Sequence, residues 1–107
     1  MSTNKVSQHQ DLYGGLIRLH ILHHAAKEPL YGSWMMEELH HHGYRISPGT
    51  LYPMLHGLEA KGYLRSREER DGKRIRRFYL ITAAGKRALA DARHKVRELF
   101  GELFEDD

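Results

Sequence analysis

The stretch Ser47-Pro48-Gly49-Thr50-Leu51-Tyr52-Pro53-Met54-Leu55 decides the predicted fold, because it describes a short helix with one apolar and one exposed face. Serine is a favoured N-cap residue and proline a favoured first helical residue, so the first two residues mark the start of the helix. Leu51, Leu55 and Leu58 are spaced by four and three residues, which places them on one inner face. The helix is predicted to end at Gly62, since glycine accommodates the left-handed conformation that follows a helix.

The outer face of this helix carries small, rigid and hydroxyl-bearing groups. Glycine lets the backbone approach another molecule closely, and the internal Pro53 removes a backbone hydrogen bond and predicts a kink. A helix fits the major groove of duplex DNA, where its first turns usually meet the base edges. We therefore expect this face to read DNA, and a plain surface helix is the alternative. The predicted DNA-facing residues of the helix are Ser47, Gly49, Thr50, Tyr52, Pro53 and His56.

A basic hairpin follows the helix. Two predicted strands, 63–69 and 74–81, flank Arg70-Asp71-Gly72-Lys73, and Asp-Gly between two such runs is a strong hairpin signal. Between residues 65 and 77 the formal charge is +4, which exceeds the net charge of +3 of the whole chain. Cations beside an exposed helix add affinity by neutralising phosphates. A solvated hairpin without a ligand is the alternative. The residues expected to contact the DNA backbone are Lys73, Arg74 and Arg76.

A first helix is predicted from Asp11 to Lys27, after a flexible arm at residues 1–10. Apolar residues recur along it at three and four positions and form one stripe, whereas Ile17 and Ile21 lie outside the stripe. A helix that is apolar on two sides is usually covered on two sides. We expect one cover to be the domain itself and the other to be a partner subunit. The stripe consists of Leu12, Leu16, Leu19, Leu22 and Ala26.

The last helix, predicted from the N-cap Thr82 to about Phe104, has apolar residues at alternating three- and four-residue spacing. Such a heptad seam favours packing against another helix. Three helices and the hairpin complete the expected DNA-reading unit, so the last helix has no role inside that unit and is predicted to pair two subunits. The predicted dimer-interface residues are Leu16, Leu89, Ala92, Val96, Leu99 and Leu103.

The order of elements predicts a mainly α (α+β) fold, a winged helix-turn-helix followed by a C-terminal dimerisation helix. A second helix over residues 33–42, bounded by the helix breaker Pro29 and by Gly43, completes the helical part. The DNA-binding domain is predicted over residues 11–81, and the dimerisation helix with its acidic tail over 82–107. A chain of 107 residues suits one domain with a modest core, which a second subunit would extend.

Composition narrows the function classes. The chain has no cysteine, which excludes a disulfide framework and thiolate chemistry. It has neither an apolar run of membrane-span length nor an apolar export segment at its start, so a cytoplasmic protein without membrane contact is expected. It offers no phosphate-cradling glycine loop and no convincing acid–base pair. We therefore predict that the protein is not an enzyme and requires no cofactor.

Several short motifs resemble those of the PadR family of bacterial transcriptional regulators, in its small subgroup with a short C-terminal helix. The most specific is Ser-Pro-Gly-Thr-Leu-Tyr-Pro at residues 47–53, and the likeness covers roughly residues 12–92. The other matching segments are Pro29-Leu30-Tyr31-Gly32, Leu58-Glu59 with Gly62-Tyr63-Leu64, Arg76-Arg77-Phe78-Tyr79-Leu80-Ile81-Thr82 and Ala84-Gly85.

The resemblance implies a homodimeric repressor that binds double-stranded operator DNA and is released by a small effector bound near the dimer interface. It implies that the third helix enters the major groove, that the hairpin lies on the flanking backbone, and that the last helix pairs with the partner near the first helix. Tyr31 and Gly32 match the start of the family's second helix, near the phosphates. Effectors in the family are commonly phenolic acids or apolar drugs.

Nine histidines are many for a chain of this length, and His20, His23 and His24 fall at i, i+3 and i+4 on the first helix. Imidazole is the commonest metal-binding side chain, and this spacing places rings on one helical face. These three residues are therefore predicted to bind a zinc-type ion as effector, with a carboxylate or a partner-chain residue completing the site. The alternative is that they are surface groups without a ligand. Two further pairs at i, i+4 spacing are Glu37 with His41 and Glu38 with His42.

Two functions from different classes remain open. The first is an operator-binding repressor whose effector is either a divalent metal ion or an aromatic or apolar molecule. The second is a protein-binding winged-helix module whose basic hairpin contacts an acidic partner. Steep salt dependence of binding to duplex DNA distinguishes the two, because only the first releases the counterions condensed on DNA.

Overall fold

The computed structural model describes residues 5–105, which form four α-helices and a three-stranded sheet. Three helices precede the hairpin and one follows it, as the sequence predicted. The elements are α1 (Lys5–Lys27), β1 (Leu30–Tyr31), α2 (Gly32–His41), α3 (Pro48–Ala60), β2 (Leu64–Asp71), β3 (Arg74–Ile81) and α4 (Ala83–Phe100), with a π-helical segment Gly101–Glu105 at the end.

The core lies where α1, α2 and α3 meet the base of the sheet. The predicted inner face of α3 is confirmed, since Leu51, Leu55 and Leu58 are buried, and Met54 joins them. Each such side chain contributes about 1.5–3 kcal/mol of hydrophobic stabilisation when it is removed from water. The most deeply buried side chains are Ile17, Ile21, Met35, Leu39, Leu51, Leu55, Leu64 and Tyr79.

Helix α1 begins earlier than predicted, so the prediction of a flexible arm over residues 1–10 was wrong for its second half. It begins at Lys5 and not at Asp11, so residues 5–10 of the predicted flexible arm are helical, while residues 1–4 lie outside the described part of the chain. The segment contains no proline or glycine that would stop a helix.

The two apolar sides of α1 have different surroundings. The isoleucine side, Ile17 and Ile21, faces the protein's own core and is fully buried. On the predicted leucine stripe, Leu12 and Leu16 are 72% and 44% exposed, respectively. Leu22, although a member of the predicted stripe, is buried in the core. The domain therefore covers one side of α1 and leaves part of the other open.

The sheet contains a strand that the sequence analysis missed. β1 is only two residues long and pairs with β3, which gives the antiparallel order β1-β3-β2. Leu30 lies opposite Tyr79, and Tyr31 opposite Phe78. The predicted hairpin between β2 and β3 is confirmed, with Gly72 at φ 65° in its turn. The added strand attaches the start of α2 to the base of the hairpin.

The ends of α3 follow the predicted signals. Ser47 is the N-cap with an extended backbone, although its side chain does not cap the helix and instead donates a hydrogen bond to Thr50 Oγ1 at 3.4 Å. Pro48 is the first helical residue. After the helix, Gly62 adopts φ 82°, which only glycine adopts without strain.

Helix α4 is held to the rest of the fold at its first turn. Thr82 is the N-cap, as predicted, and its Oγ1 accepts a hydrogen bond from the Gly85 amide at 3.0 Å. The same hydroxyl donates to the carbonyl of Gly62 at 2.5 Å. Leu89 still packs against the core, but further along the helix Leu99 is 47% exposed. Within residues 5–105, no helix combines the length and apolar character needed to span a membrane.

Candidate nucleic-acid interface

The outer face of α3 presents the residues that the sequence predicted to face DNA. Gly49, Pro53 and His56 are exposed, and Thr50 is partly exposed. Tyr52 is 37% exposed, although it is the largest side chain on this face. The face therefore offers hydroxyl and imidazole groups on a surface without carboxylates at these positions, which suits contact with a polyanion.

Tyr52 owes its limited exposure to Gly32, the first residue of α2. A Cβ atom at position 32 would lie 2.6 Å from the hydroxyl oxygen of Tyr52, so only glycine lets the ring occupy this place. The tyrosine thus packs its ring against the amino-terminal end of α2. Unpaired amide groups at a helix amino terminus favour anions. The structure therefore brings together Tyr31, Gly32 and Tyr52, which the sequence had predicted from separate motifs.

The hairpin divides its charges between two faces. Residues directly opposite in an antiparallel pair share a face, and successive residues alternate between faces. The register pairs Arg65 with Leu80, Arg67 with Phe78, Glu69 with Arg76 and Asp71 with Arg74. The predicted contacts Arg74 and Arg76 consequently share one face with Arg65 and Arg67. Arg65 and Arg67 were not among the predicted contacts, although the two-residue period of a strand would have identified them.

Arg77 lies on the other face and is tied to neighbouring groups. Its guanidinium donates a hydrogen bond to Glu68 at 3.0 Å, which raises the pKa of Arg77, and it also lies 3.5 Å from Ser66 Oγ. Ser66 in turn donates to Glu59 of α3 at 2.6 Å. This network joins the hairpin to α3. Among residues 11–105, whose side chains the structure describes, Arg74 takes part in no ion pair, so its charge is free to meet a phosphate.

Two arginines on the hairpin face that carries Arg74 pack over aromatic rings. The guanidinium carbon of Arg76 lies 3.9 Å from the ring centre of Tyr31, and that of Arg67 lies 4.7 Å from the ring centre of Phe78. The Tyr31 and Phe78 rings meet edge to face at 5.5 Å. Stacking of this kind stabilises a cation by about 0.5–2 kcal/mol and limits its orientations. It therefore places two positive charges beside the start of α2.

Residues 21–91 match the model of the transcriptional regulator PadR-like family. The chain belongs to this family. It is 52% identical over 87 residues to the transcriptional regulator Rv3488 of Mycobacterium tuberculosis, and the match covers 81% of each protein. The family membership predicted from the motifs is confirmed, and so is the prediction that the protein is a regulator and not an enzyme.

Solved structures of PadR-like proteins have the same fold. A PadR family transcriptional regulator from Eggerthella lenta is similar with a TM-score of 0.76 and 31% identity, over 94% of this chain and 92% of that chain. The Bacillus subtilis PadR in complex with operator DNA is similar with a TM-score of 0.64 and 22% identity. That match covers 71% of this chain and 46% of the longer B. subtilis chain. The predicted winged helix-turn-helix is thereby confirmed.

Three of the predicted dimer residues of this PadR-like chain, Leu16, Leu89 and Val96, line an open groove between α1 and α4. Leu16, Val96, Leu99 and Leu103 are exposed, whereas Leu89 and Ala92 are partly buried. α1 and α4 enclose a groove of about 600 Å³ on this side. The groove is lined by Leu16, Leu19, His20, His23, Leu89, Arg93, Val96, Arg97 and Phe100. The pairing of two subunits through this surface stays a prediction.

The histidines are grouped differently from the prediction. His20 and His24 lie together as expected, but the third member of the cluster is His42 from the end of α2 and not His23. Glu38 contacts two of them, His24 at 3.4 Å and His42 at 3.1 Å. Burial lowers the pKa of His20 and of His24, and the neighbouring histidines lower both further, which favours the neutral rings. His23 is exposed and lies outside the group, although its ring meets that of His24 edge to face at 5.0 Å.

Proposed function

We propose that the protein is a homodimeric repressor that binds operator DNA in the cytoplasm and is released by a small effector. The observation that carries the proposal is the arrangement of two surfaces side by side. The uncharged outer face of α3 is the size and shape of a major-groove reader, and the hairpin beside it has four arginines on one face. The similar B. subtilis PadR was solved in complex with operator DNA, which supports operator binding by this fold.

The two surfaces have separate tasks in this proposal. Groups on α3 meet base edges and select the sequence, whereas the arginine face of the hairpin meets phosphates and fixes the register. The stacked Arg76 and Arg67 hold their charges in place before DNA arrives, which lowers the entropic cost of binding. Arg74, near the hairpin turn, adds a mobile charge that reaches further along the backbone.

Tyr52→Ala is expected to weaken operator binding by about 10-fold or more, while non-specific DNA binding falls much less, because base contacts carry the specificity. The Tyr52→Phe variant is the matched control, since it keeps the ring that packs against Gly32 and removes only the hydroxyl. Anisotropy titrations with operator and scrambled duplexes measure both affinities. Equal losses on the two duplexes would mean that Tyr52 does not select the sequence.

Arg74→Ala is expected to weaken binding to every duplex alike and to reduce the slope of log Kd against log salt by about one. Arg77→Ala is the control, because this arginine lies on the opposite face and is paired with Glu68. Its removal should change the slope less. Titrations at several salt concentrations make the comparison. A larger loss of slope for Arg77→Ala than for Arg74→Ala would reverse the assignment of the DNA-facing side.

The dimer is supported by the apolar surface between α1 and α4. A lone subunit would leave Leu99, Phe100, Leu103 and Phe104 exposed along one end of the chain. Continuous apolar surface of this kind marks an interaction site. Two copies of α3 in a dimer would meet successive turns of the major groove, so a palindromic operator is expected.

Two kinds of effector fit the proposed repressor. The groove between α1 and α4 is mainly apolar and could hold an aromatic or apolar molecule beside the dimer interface. The histidine cluster, which shares His20 with the lining of that groove, suits a zinc-type ion. Either ligand would lie against α1, between the dimer surface and the DNA-binding helices.

The deciding experiment for the proposed function is the binding of purified protein to DNA from its own upstream region. Fluorescence anisotropy in EDTA, repeated across a range of salt concentrations, measures affinity, specificity and salt slope together. Tight, site-specific and steeply salt-dependent binding is expected. Weak binding without a salt slope would favour the alternative module, in which the arginine face of the hairpin binds an acidic protein.

A further inference from the structure

Four metal-ligating side chains meet where α1 faces the carboxyl-terminal end of α2. His20 and His24 come from α1, Glu38 comes from α2, and His42 is the residue that caps the carboxyl-terminal end of α2. One ring nitrogen from each of the three histidines lies within 4.8 Å of the others. Each helix supplies an i, i+4 pair, which is the spacing that places two side chains on one helical face. The cluster thus faces inward from two rigid elements.

The distances at Glu38 are close to those of a tetrahedral site. Its Oε2 atom lies 3.4 Å from His24 Nε2 and 3.1 Å from His42 Nε2. Zinc bonds of about 2.0–2.2 Å separate neighbouring ligand atoms of a tetrahedron by about 3.3 Å. The three histidine nitrogens lie up to 4.8 Å apart and Glu38 stands outside this group, so binding would require these side chains to approach by about 1.5 Å through changes of rotamer.

We propose that His20, His24, His42 and Glu38 form a binding site for a divalent cation of the zinc type. Three imidazoles and one carboxylate are a borderline-soft, four-ligand set that suits zinc, cobalt or nickel better than magnesium or calcium, which prefer oxygen ligands. His20 and His24 are partly buried, so the ion would be shielded on the α1 side, and the exposed His42 would lie on its route of entry.

The cation site lies between the proposed dimer surface and the DNA-binding helix α3. The coupling of the site to these two elements rests on the proposed function. α1 carries the dimer-facing Leu16 one turn before His20, and α2 carries at its amino end Gly32, which supports Tyr52. A cation held by both helices would fix the angle between them. It would thereby couple the spacing of the two subunits to the orientation of α3, as an effector must.

The site is tested with protein from which any histidine tag has been removed and which has been stripped with EDTA. Titration with Co²⁺ is expected to give the visible absorption of a tetrahedral complex at one ion per chain, and Zn²⁺ is expected to displace it. Trp34 is a second reporter, because its ring lies 5.3 Å from that of His24 and cobalt binding should quench its fluorescence. These readouts do not involve DNA.

Matched variants distinguish metal binding at this site from metal binding by other histidines of the chain. His42→Ala is expected to lower cobalt affinity at least 10-fold, and Glu38→Gln by about 10–100-fold through loss of a charged partner. His41→Ala, an exposed neighbour on α2, and His23→Ala, the member of the sequence-predicted trio outside the cluster, should leave affinity unchanged. Circular dichroism checks that all variants fold.

The outcomes show separately whether the proposed cation site and the proposed repressor function are correct. The proposed site is contradicted if cobalt gives an octahedral spectrum or none. It is also contradicted if His41→Ala and His42→Ala lose cobalt affinity equally. Both results hold even if operator binding in EDTA is intact. Dependence on His23 in place of His42 also overturns it, in favour of the trio predicted from the sequence. A tetrahedral cobalt site in a protein that binds no operator supports the site and contradicts the repressor.

Discussion

Leu99→Asp is expected to convert the proposed dimer into monomers and to weaken operator binding by about 100-fold or more, since each subunit would then bind one half-site alone. Leu99 is 47% exposed in the single chain and lies on the apolar seam of α4. A carboxylate there would be buried without a partner in the dimer, which costs far more than the lost leucine contact. Sedimentation velocity measures the assembly, and anisotropy measures operator affinity.

The control for this substitution lies on the same helix. Ala90 is exposed and is nine residues from Leu99, which is about 180° around an α-helix. Ala90→Asp adds the same charge to the opposite face and should leave the dimer intact. If Leu99→Asp stays dimeric, the subunits pair elsewhere. If it becomes monomeric but keeps full operator affinity, the dimer is not needed for DNA binding.

Gly85→Ala is expected to lower the free energy of unfolding by roughly 2–3 kcal/mol, the upper range for adding a methyl group to a packed site. Gly85 is buried in the first turn of α4, where an added Cβ would overlap the carbonyl of Tyr63 and lie 2.7 Å from Ile81 Cγ1. Backbone cannot move aside as a flexible side chain does. The helix would have to shift, which strains the hydrogen bonds of Thr82.

Gly57→Ala is the matched control, because an added Cβ at this helical position meets no heavy atom within 4 Å. It should leave stability unchanged or raise it by up to about 1 kcal/mol, since alanine favours helix over glycine. Urea unfolding followed by circular dichroism compares the two variants. Similar midpoints for Gly85→Ala and the parent would mean that α4 is not docked as tightly as the contact at Tyr63 indicates.

The parts of the fold that local sequence specifies were predicted well. Proline after serine marks the start of α3, glycine at positive φ marks its end, and Asp-Gly marks the hairpin turn. Thr82 begins α4 as predicted. Each of these signals acts within a few residues, because caps and turns are hydrogen-bonded to their immediate neighbours.

The strand that the sequence did not predict depends on a contact between distant segments. β1 consists of two residues, which are too few to show the alternating pattern of a strand. It forms because it pairs with β3. Arg65 and Arg67 were left out of the site although they share a face with Arg74 and Arg76. That omission was avoidable, since strand alternation is a local rule.

The sequence by itself determined the order of helices and hairpin, the outward face of α3 and the family, because each depends on short motifs and nearest-neighbour geometry. Only the tertiary structure decided which side of α1 enters the core, that Gly32 supports Tyr52, and that Glu38 and His42 join His20 and His24. The spacing of residues along one helix states which side chains share a face. It does not state which face of another helix lies opposite, since that depends on how the whole core packs.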